Sequence, residues 1–164
     1  MQNLKSFLVT FIATAAGSGF TPKAPGTAGT VVGVGIIYFT RDWSYASQGL
    51  LWLALFFVGW WASWEWSIKT QAKDSQKIVI DEVLGYMLAM GMLPRTATIM
   101  LIQFILFRLF DSLKPPPIRQ FDLWGKKFEI GPWQSVGVIV DDILAGLVSL
   151  GVFLLGQYLV QRFF

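Results

Sequence analysis

Cysteine and histidine are both absent from this 164-residue sequence, and charged residues are sparse at 14%. Without cysteine there is no disulfide framework, no thiolate nucleophile and no cysteine-based zinc site. Without histidine the commonest general base is missing, and with it phosphohistidine chemistry and any Ser-His-Asp triad. Catalysis by this chain has to run on carboxylates, Lys, Arg, hydroxyls and a metal ion. Polar surface is scarce as well. With 54% hydrophobic residues and a mean hydropathy of +0.56, a soluble domain of this size could not hide its apolar surface, which points to an integral membrane protein. The formal charge of +3 comes without a basic run or a stacking platform. It fits anionic lipid headgroups and argues against nucleic acid. No linker composition divides the chain, so residues 1–164 form a single domain.

Against this background two acidic pairs stand out. Ile78-Val79-Ile80-Asp81-Glu82-Val83-Leu84-Gly85 is one copy of a motif, and Val138-Ile139-Val140-Asp141-Asp142-Ile143-Leu144-Ala145-Gly146 is the second. Each sets two adjacent carboxylates inside an apolar run, where every ionised acid must lose water or find a cation. Neighbouring acids on a helix point about 100° apart, so one can face the bundle axis while the other reaches a second helix. Facing pairs supply the oxygen ligands that Mg²⁺ prefers, with positions left for water and phosphate. Gly85 and Gly146 follow their acids by one helical turn and permit close helix approach. The plain alternative is that the acids cap helices or pair with Arg108 and Lys114.

The apolar runs predict an all-α fold: a compact helical membrane bundle of about four to five membrane-embedded helices plus an N-terminal interfacial helix. Residues 1–16 suit an interfacial amphipathic helix better than a cleaved signal. Gly17 to Thr30 is rich in Gly, Pro and Thr and reads as a loop. Apolar segments follow at 31–39, 50–66, 78–93, 97–110 and 136–160, with polar stretches at 67–77 and 113–135. Trp60, Trp61, Trp64 and Trp66 read as an interfacial belt, with Glu65 at headgroup level. Threaded in order, Lys5, Lys23, Lys69, Lys73, Lys77, Arg108, Lys114, Arg119, Lys126 and Lys127 fall on one side, and only Arg41, Arg95 and Arg162 on the other. That asymmetry makes the first side cytoplasmic. It also brings Asp81, Glu82, Arg108, Asp111, Asp141 and Asp142 to one level near that face.

Arg108, Asp111 and Lys114 recur at i, i+3 and i+6. They form either an ion-pair ladder worth a few tenths of a kcal/mol or a phosphate clamp, with Asp111 on the metal or orienting water. Lys23, the Thr27 hydroxyl and the amides of Gly26 to Gly29 are weaker phosphate-binding candidates; the spacing is not a Walker A loop.

Taken together, Ser18-Gly19-Phe20-Thr21-Pro22 with Pro25-Gly26-Thr27, Asp74 with the Asp81-Glu82 block, Phe107-Arg108 with Asp111 and Lys114-Pro115, Pro117-Ile118-Arg119 with Phe121-Asp122, and Asp141-Asp142 with Ala145-Gly146 resemble the phosphatidylglycerophosphatase A family. The blocks keep their order from about residue 17 to 150, and only residues 123–135 depart as a longer link. The resemblance implies a Mg²⁺-dependent phosphatase of the bacterial inner membrane. Such an enzyme releases the terminal phosphate of phosphatidylglycerophosphate at a site facing the cytoplasm. It also implies Asp81, Glu82, Asp141 and Asp142 as metal and catalytic acids, joined by Asp74. The competing class is a small cation or proton transporter using the same acids, although transporter acids sit nearer the midplane. A histidine-dependent lipid phosphatase is excluded by composition. The Asp-Gly…Ala-Arg…Asp…Asp array of CDP-alcohol phosphotransferases is missing. Oligomeric state is left open.

Overall fold

The computed structural model describes residues 2–73 and 75–163, of which Gln2 is described in its backbone only. Asp74, named above as a candidate ligand, lies outside the described residues. The described chain is all-α: α1 (Gln2–Ala13), a short 3-10 helix (Ser18–Phe20), α2 (Pro25–Phe39), α3 (Tyr45–Thr70), α4 (Ile80–Met90), α5 (Ala97–Leu113), α6 (Ile118–Gly125) and α7 (Pro132–Phe163).

Local sequence explains the boundaries. Pro25 occupies the first turn of α2, where its missing N–H costs nothing and its fixed φ is already helical. Ser44 caps α3 by accepting from the Ser47 amide at 3.1 Å, and Thr96 caps α5 by accepting from Ile99 at 3.3 Å. Lys114 ends α5 in the left-handed conformation, and the prolines that follow cannot continue the helix. Two expected boundaries differ. The Gly/Pro/Thr stretch is helical from Pro25, because a helix-compatible proline starts it and its glycines pack where side chains could not fit. The polar stretch 113–135 holds α6 and the first turn of α7.

The core is organised around α4. Ile80, Val83, Leu84, Tyr86, Met87, Ala89 and Met90 are all buried, because α2, α3, α5 and α7 surround this helix. Trp52 of α3 donates to the Leu84 carbonyl at 3.0 Å, and the Tyr86 hydroxyl donates to the Met100 carbonyl of α5 at 3.0 Å. The crossing of α4 with α7 is a backbone-to-backbone contact. A Cβ on Gly146 would lie 2.3 Å from the Gly85 carbonyl oxygen, and one on Gly85 would lie 2.6 Å from that of Asp142. Backbone meets backbone there, so any side chain forces the helices apart.

Among the described residues two helices are long and apolar enough to cross a membrane, α3 with a mean hydropathy of 1.2 and α7 with 2.3 over their best 18-residue windows. The all-α class is as expected, whereas a bundle of four to five membrane-embedded helices is not confirmed: α1, α2, α4 and α5 are shorter, at 12, 15, 11 and 17 residues. Exposed apolar side chains line α1 (Leu4, Phe7, Phe11), α5 (Leu101, Ile105, Leu109) and α7 (Leu154, Leu155, Leu159). The tryptophan cluster is not uniform. Trp66 is buried against Phe20, with ring centroids 6.3 Å apart, while Trp60 donates to the Pro132 carbonyl at 2.9 Å and ties α3 to α7. Glu65 pairs with Lys5 of α1 at 2.8 Å.

Replacing Gly146 by Leu should lower the melting temperature in detergent by several degrees, since overpacking costs about 1–3 kcal/mol or more. Gly156→Leu, where an added Cβ meets nothing within 4 Å, should be close to neutral in the same thermal scan. Equal effects of the two substitutions would overturn the assignment of Gly146 to a helix crossing.

Candidate active site

Because α4 and α7 cross at Gly85 and Gly146, the residues one turn earlier on each helix, Asp81 and Asp142, face one another. Carboxylate oxygens of Asp81, Glu82 and Asp142 lie within 4.8 Å of one another. Asp81 and Asp142 are buried, and Glu82 is partly exposed. Asp81 and Glu82 occupy the first turn of α4, where the free amides and helix dipole favour negative charge. The Asp81 carboxylate accepts from the Glu82 amide at 3.1 Å. Three facing carboxylates in an apolar bundle repel one another unless a cation lies between them. Glu82 Oε2 is buried without a hydrogen-bond partner, and an orphaned oxygen beside two others is a donor set suited to a hard divalent ion. The residues present therefore fit Mg²⁺.

Asp141 is placed differently. Its Oδ2 accepts a short hydrogen bond from the Lys114 ammonium, and its Oδ1 is buried without a partner. Lys114 also reaches Asp122 of α6 at 3.0 Å, and Lys126 pairs with the other Asp122 oxygen at 2.9 Å. Burial works against the Lys114 charge, but Asp141 and Asp122 outweigh it and raise its pKa above the ordinary lysine value. Burial also works against ionised Asp122, yet Lys126 and Lys114 hold its pKa below the ordinary carboxylate value. Arg108 binds Asp111 one turn on at 2.5 Å.

All of these groups open into one cavity of about 650 Å³, lined by Asp81, Glu82, Arg108, Asp111, Lys114, Asp122, Asp141 and Asp142. It is also lined by Pro25 and Gly26 from the start of α2, Lys73 and Gln76 from the α3–α4 connection, and Gln134 of α7. Gly26 packs against the site, since a Cβ would sit 2.2 Å from Glu82 Oε1 and 3.2 Å from Arg108 Nη1 and would displace those side-chain ends. Helicity from Pro25 leaves only the first-turn amides of α2 open toward the cavity, so the Gly29 amide is no longer a candidate donor. Lys23 is exposed and Thr27 partly so, and neither lines the cavity. Asp122 and Gln134 were not among the residues singled out as functional. The i,i+4 spacing of Asp122 and Lys126 was a usable signal for α6, whereas nothing local marks Gln134 as a wall residue.

A family model described as phosphatidylglycerophosphatase A matches residues 11–157. A Haemophilus influenzae protein named phosphatidylglycerophosphatase A is 33% identical over 90% of this chain and 87% of its own length. The Escherichia coli protein of the same name is 28% identical over 86% of this chain and 78% of its own. A Bacteroides thetaiotaomicron protein, whose name marks it as a candidate phosphatidylinositol-3-phosphatase, is 35% identical over 88% and 90%. No solved structure matches the chain significantly.

Lys114→Met should destabilise the fold by on the order of 3 kcal/mol, because it strands the buried Asp141 carboxylate. Asp122→Asn should cost about 1 kcal/mol or less, since Lys114 keeps Asp141 as a partner and Lys126 is half-exposed. A depressed carboxylate pKa contributes stability above the ordinary carboxylate range and loses it as pH falls. The difference in melting temperature between wild type and Asp122→Asn should therefore shrink below about pH 4. A pH-independent difference would refute the ion-pair role of Asp122.

Proposed function

This chain belongs to the phosphatidylglycerophosphatase A family, and we propose that it hydrolyses the terminal phosphate of phosphatidylglycerophosphate to phosphatidylglycerol and phosphate. The observation that carries this reading is a single cavity shared by an acid cluster fit for a divalent ion and by cations fit for a phosphate. The family names the lipid; the cavity supports a phosphomonoester.

In this reading Asp81, Glu82 and Asp142 would hold Mg²⁺, and the chemistry it would supply there is Lewis acidity toward the phosphate and water. Arg108, braced by Asp111, offers a fork of donors to the equatorial oxygens where charge builds as the bond to the glycerol oxygen lengthens. Lys114, at the end of the same helix, adds a point charge and keeps Asp141 oriented. The unpartnered Oδ1 of Asp141 accepts a hydrogen bond from water entering in line, and takes its proton as oxygen attacks phosphorus. The bond between phosphorus and the glycerol oxygen breaks, and the departing alkoxide collects a proton to give the alcohol. The open amides at the start of α2 are a further anion-binding surface.

The membrane setting belongs to the same proposal. In it α3 and α7 span the bilayer, the exposed apolar faces of α1 and α5 contact acyl chains, and the cavity lies at the cytoplasmic face of the bacterial inner membrane; the apolar length of α3 and α7 and the lysine asymmetry of the sequence support this. The substrate's diacyl body stays in lipid while its phosphate enters between α4, α5 and α7. Placement of the acids in the first turn of α4, at one end of the bundle, favours interfacial hydrolysis over transport. The name of the Bacteroides relative favours a second substrate, an inositol phospholipid phosphate, at the same site.

Purified protein should release phosphate from phosphatidylglycerophosphate in Mg²⁺ and lose activity in EDTA. Asp81→Asn and Asp142→Asn should each lower kcat at least 10²-fold with the protein still inserted. Faster release from phosphatidylinositol 3-phosphate would favour the second substrate, and full activity of both variants would sink the assignment of the acids.

A further inference from the structure

A second cavity, also about 650 Å³, lies between α2 and α5 and shares no residue with the acid site. Its walls are apolar: Val31, Val34 and Gly35 from α2 face Met100, Leu101 and Phe104 from α5. That size falls within the ~300–1,000 Å³ of small-molecule sites. Two of the three cations that the threading puts on the face away from the acids, Arg41 and Arg95, stand at its end. α2 runs from Gly26 in the acid site toward Arg41, and its 15 residues span about 22 Å at helical rise. The two sites thus lie at opposite ends of the bundle.

Arg95 is built into this end. Its Nη1 donates to the carbonyls of Arg41 at 2.6 Å and Trp43 at 2.7 Å, and its guanidinium stacks over Tyr45 at 4.3 Å from the ring centroid. Its Nε and Nη2 are buried and have no hydrogen-bond partner. Leaving charged donors unpaired in this way costs free energy unless an acceptor reaches them. Arg41 stacks over Tyr38 at 4.6 Å, and its contact with exposed Asp42 is long at 3.7 Å, too weak to neutralise it. The start of α5 adjoins the same mouth through Ala97, and its dipole adds positive potential.

An apolar slot open along the outside of the bundle, ending at two guanidinium groups with donors to spare, matches one ligand chemistry. We propose that the α2–α5 groove binds an anionic phospholipid, with an acyl chain along Val34, Gly35 and Phe104 and the phosphodiester on Arg95 and Arg41. This site is separate from the acid cluster and holds a lipid of the opposite leaflet, which is not hydrolysed there. The charge complementarity selects an anionic lipid over a zwitterionic one, and the unpaired Arg95 donors select a phosphate-sized acceptor.

The test is native mass spectrometry of detergent-purified protein incubated with equal amounts of phosphatidylglycerol and phosphatidylcholine. Wild type should retain one phosphatidylglycerol at least about tenfold in preference to phosphatidylcholine. Arg41→Gln/Arg95→Gln should lose that preference. Because Arg95 also anchors two backbone carbonyls, Gly35→Leu is the second variant: an added Cβ there meets nothing within 4 Å, so the side chain grows into the groove without disturbing the helix. It should abolish lipid retention while phosphate release stays within twofold of wild type. Asp142→Asn should keep the bound lipid. Loss of the lipid in Asp142→Asn but not in Gly35→Leu would place it at the acid site and overturn the proposal. So would equal retention of the two lipids, or a protein dimer abolished by Gly35→Leu, which would make the groove a contact between copies of this chain.

Discussion

The backbone contact between Gly85 and Gly146 is the constraint from which the rest of the molecule follows. With no side chain on either residue, α4 and α7 approach until a carbonyl of one lies against the Cα of the other. One turn before each glycine stands an acid, so the distance that closes the crossing also closes the gap between Asp81 and Asp142. Packing and chemistry are therefore one interaction. Whatever loosens the helix pair also disperses the carboxylates. The burial of α4 on nearly every side gives this crossing its rigidity, since no neighbouring helix can move without opening the core.

Charge compensation divides the acids into two groups. Asp81, Glu82 and Asp142 face each other with no cation from the chain paired to them among the described contacts, a donor set that suits a divalent ion. Asp141, next in sequence to Asp142, is held instead by Lys114, which Asp122 in turn steadies from α6. Adjacent carboxylates thus receive different partners because they point about 100° apart on α7, one toward α4 and the other toward the α5–α6 corner. The outcome is a cavity with an anionic end and a cationic wall, which is the polarity a phosphate ester needs.

Much of this was legible before any coordinates. The acidic pairs, their trailing glycines and the Arg108–Asp111–Lys114 spacing are local patterns, and their physical meaning does not depend on distant residues. Less legible was what depends on packing. The helical state of Pro25 to Thr30 was hidden because glycines and threonines look loop-like until Glu82 is found against Gly26 and Val79 against Gly29. Trp66 belongs to the core although its neighbours suggested an interface. Lys23 and Thr27 are close in sequence to Gly26, yet neither lines the cavity that Gly26 lines: Thr27 follows it on the helix, and Lys23 is exposed in the bend before α2.

Composition alone settled that catalysis could use neither histidine nor cysteine and that the chain would be helical and apolar, because residue chemistry and the helical period are properties of short segments. Periodicity also determined which acids could reach a common axis. The tertiary structure alone decided which three of the four acids cluster, that Lys114 claims Asp141, that Asp122 and Gln134 enter the wall, and that Arg41 and Arg95 meet at the end of a second groove. Those are matters of distance between segments far apart in the chain, and they are set by how closely helices pack at their glycines.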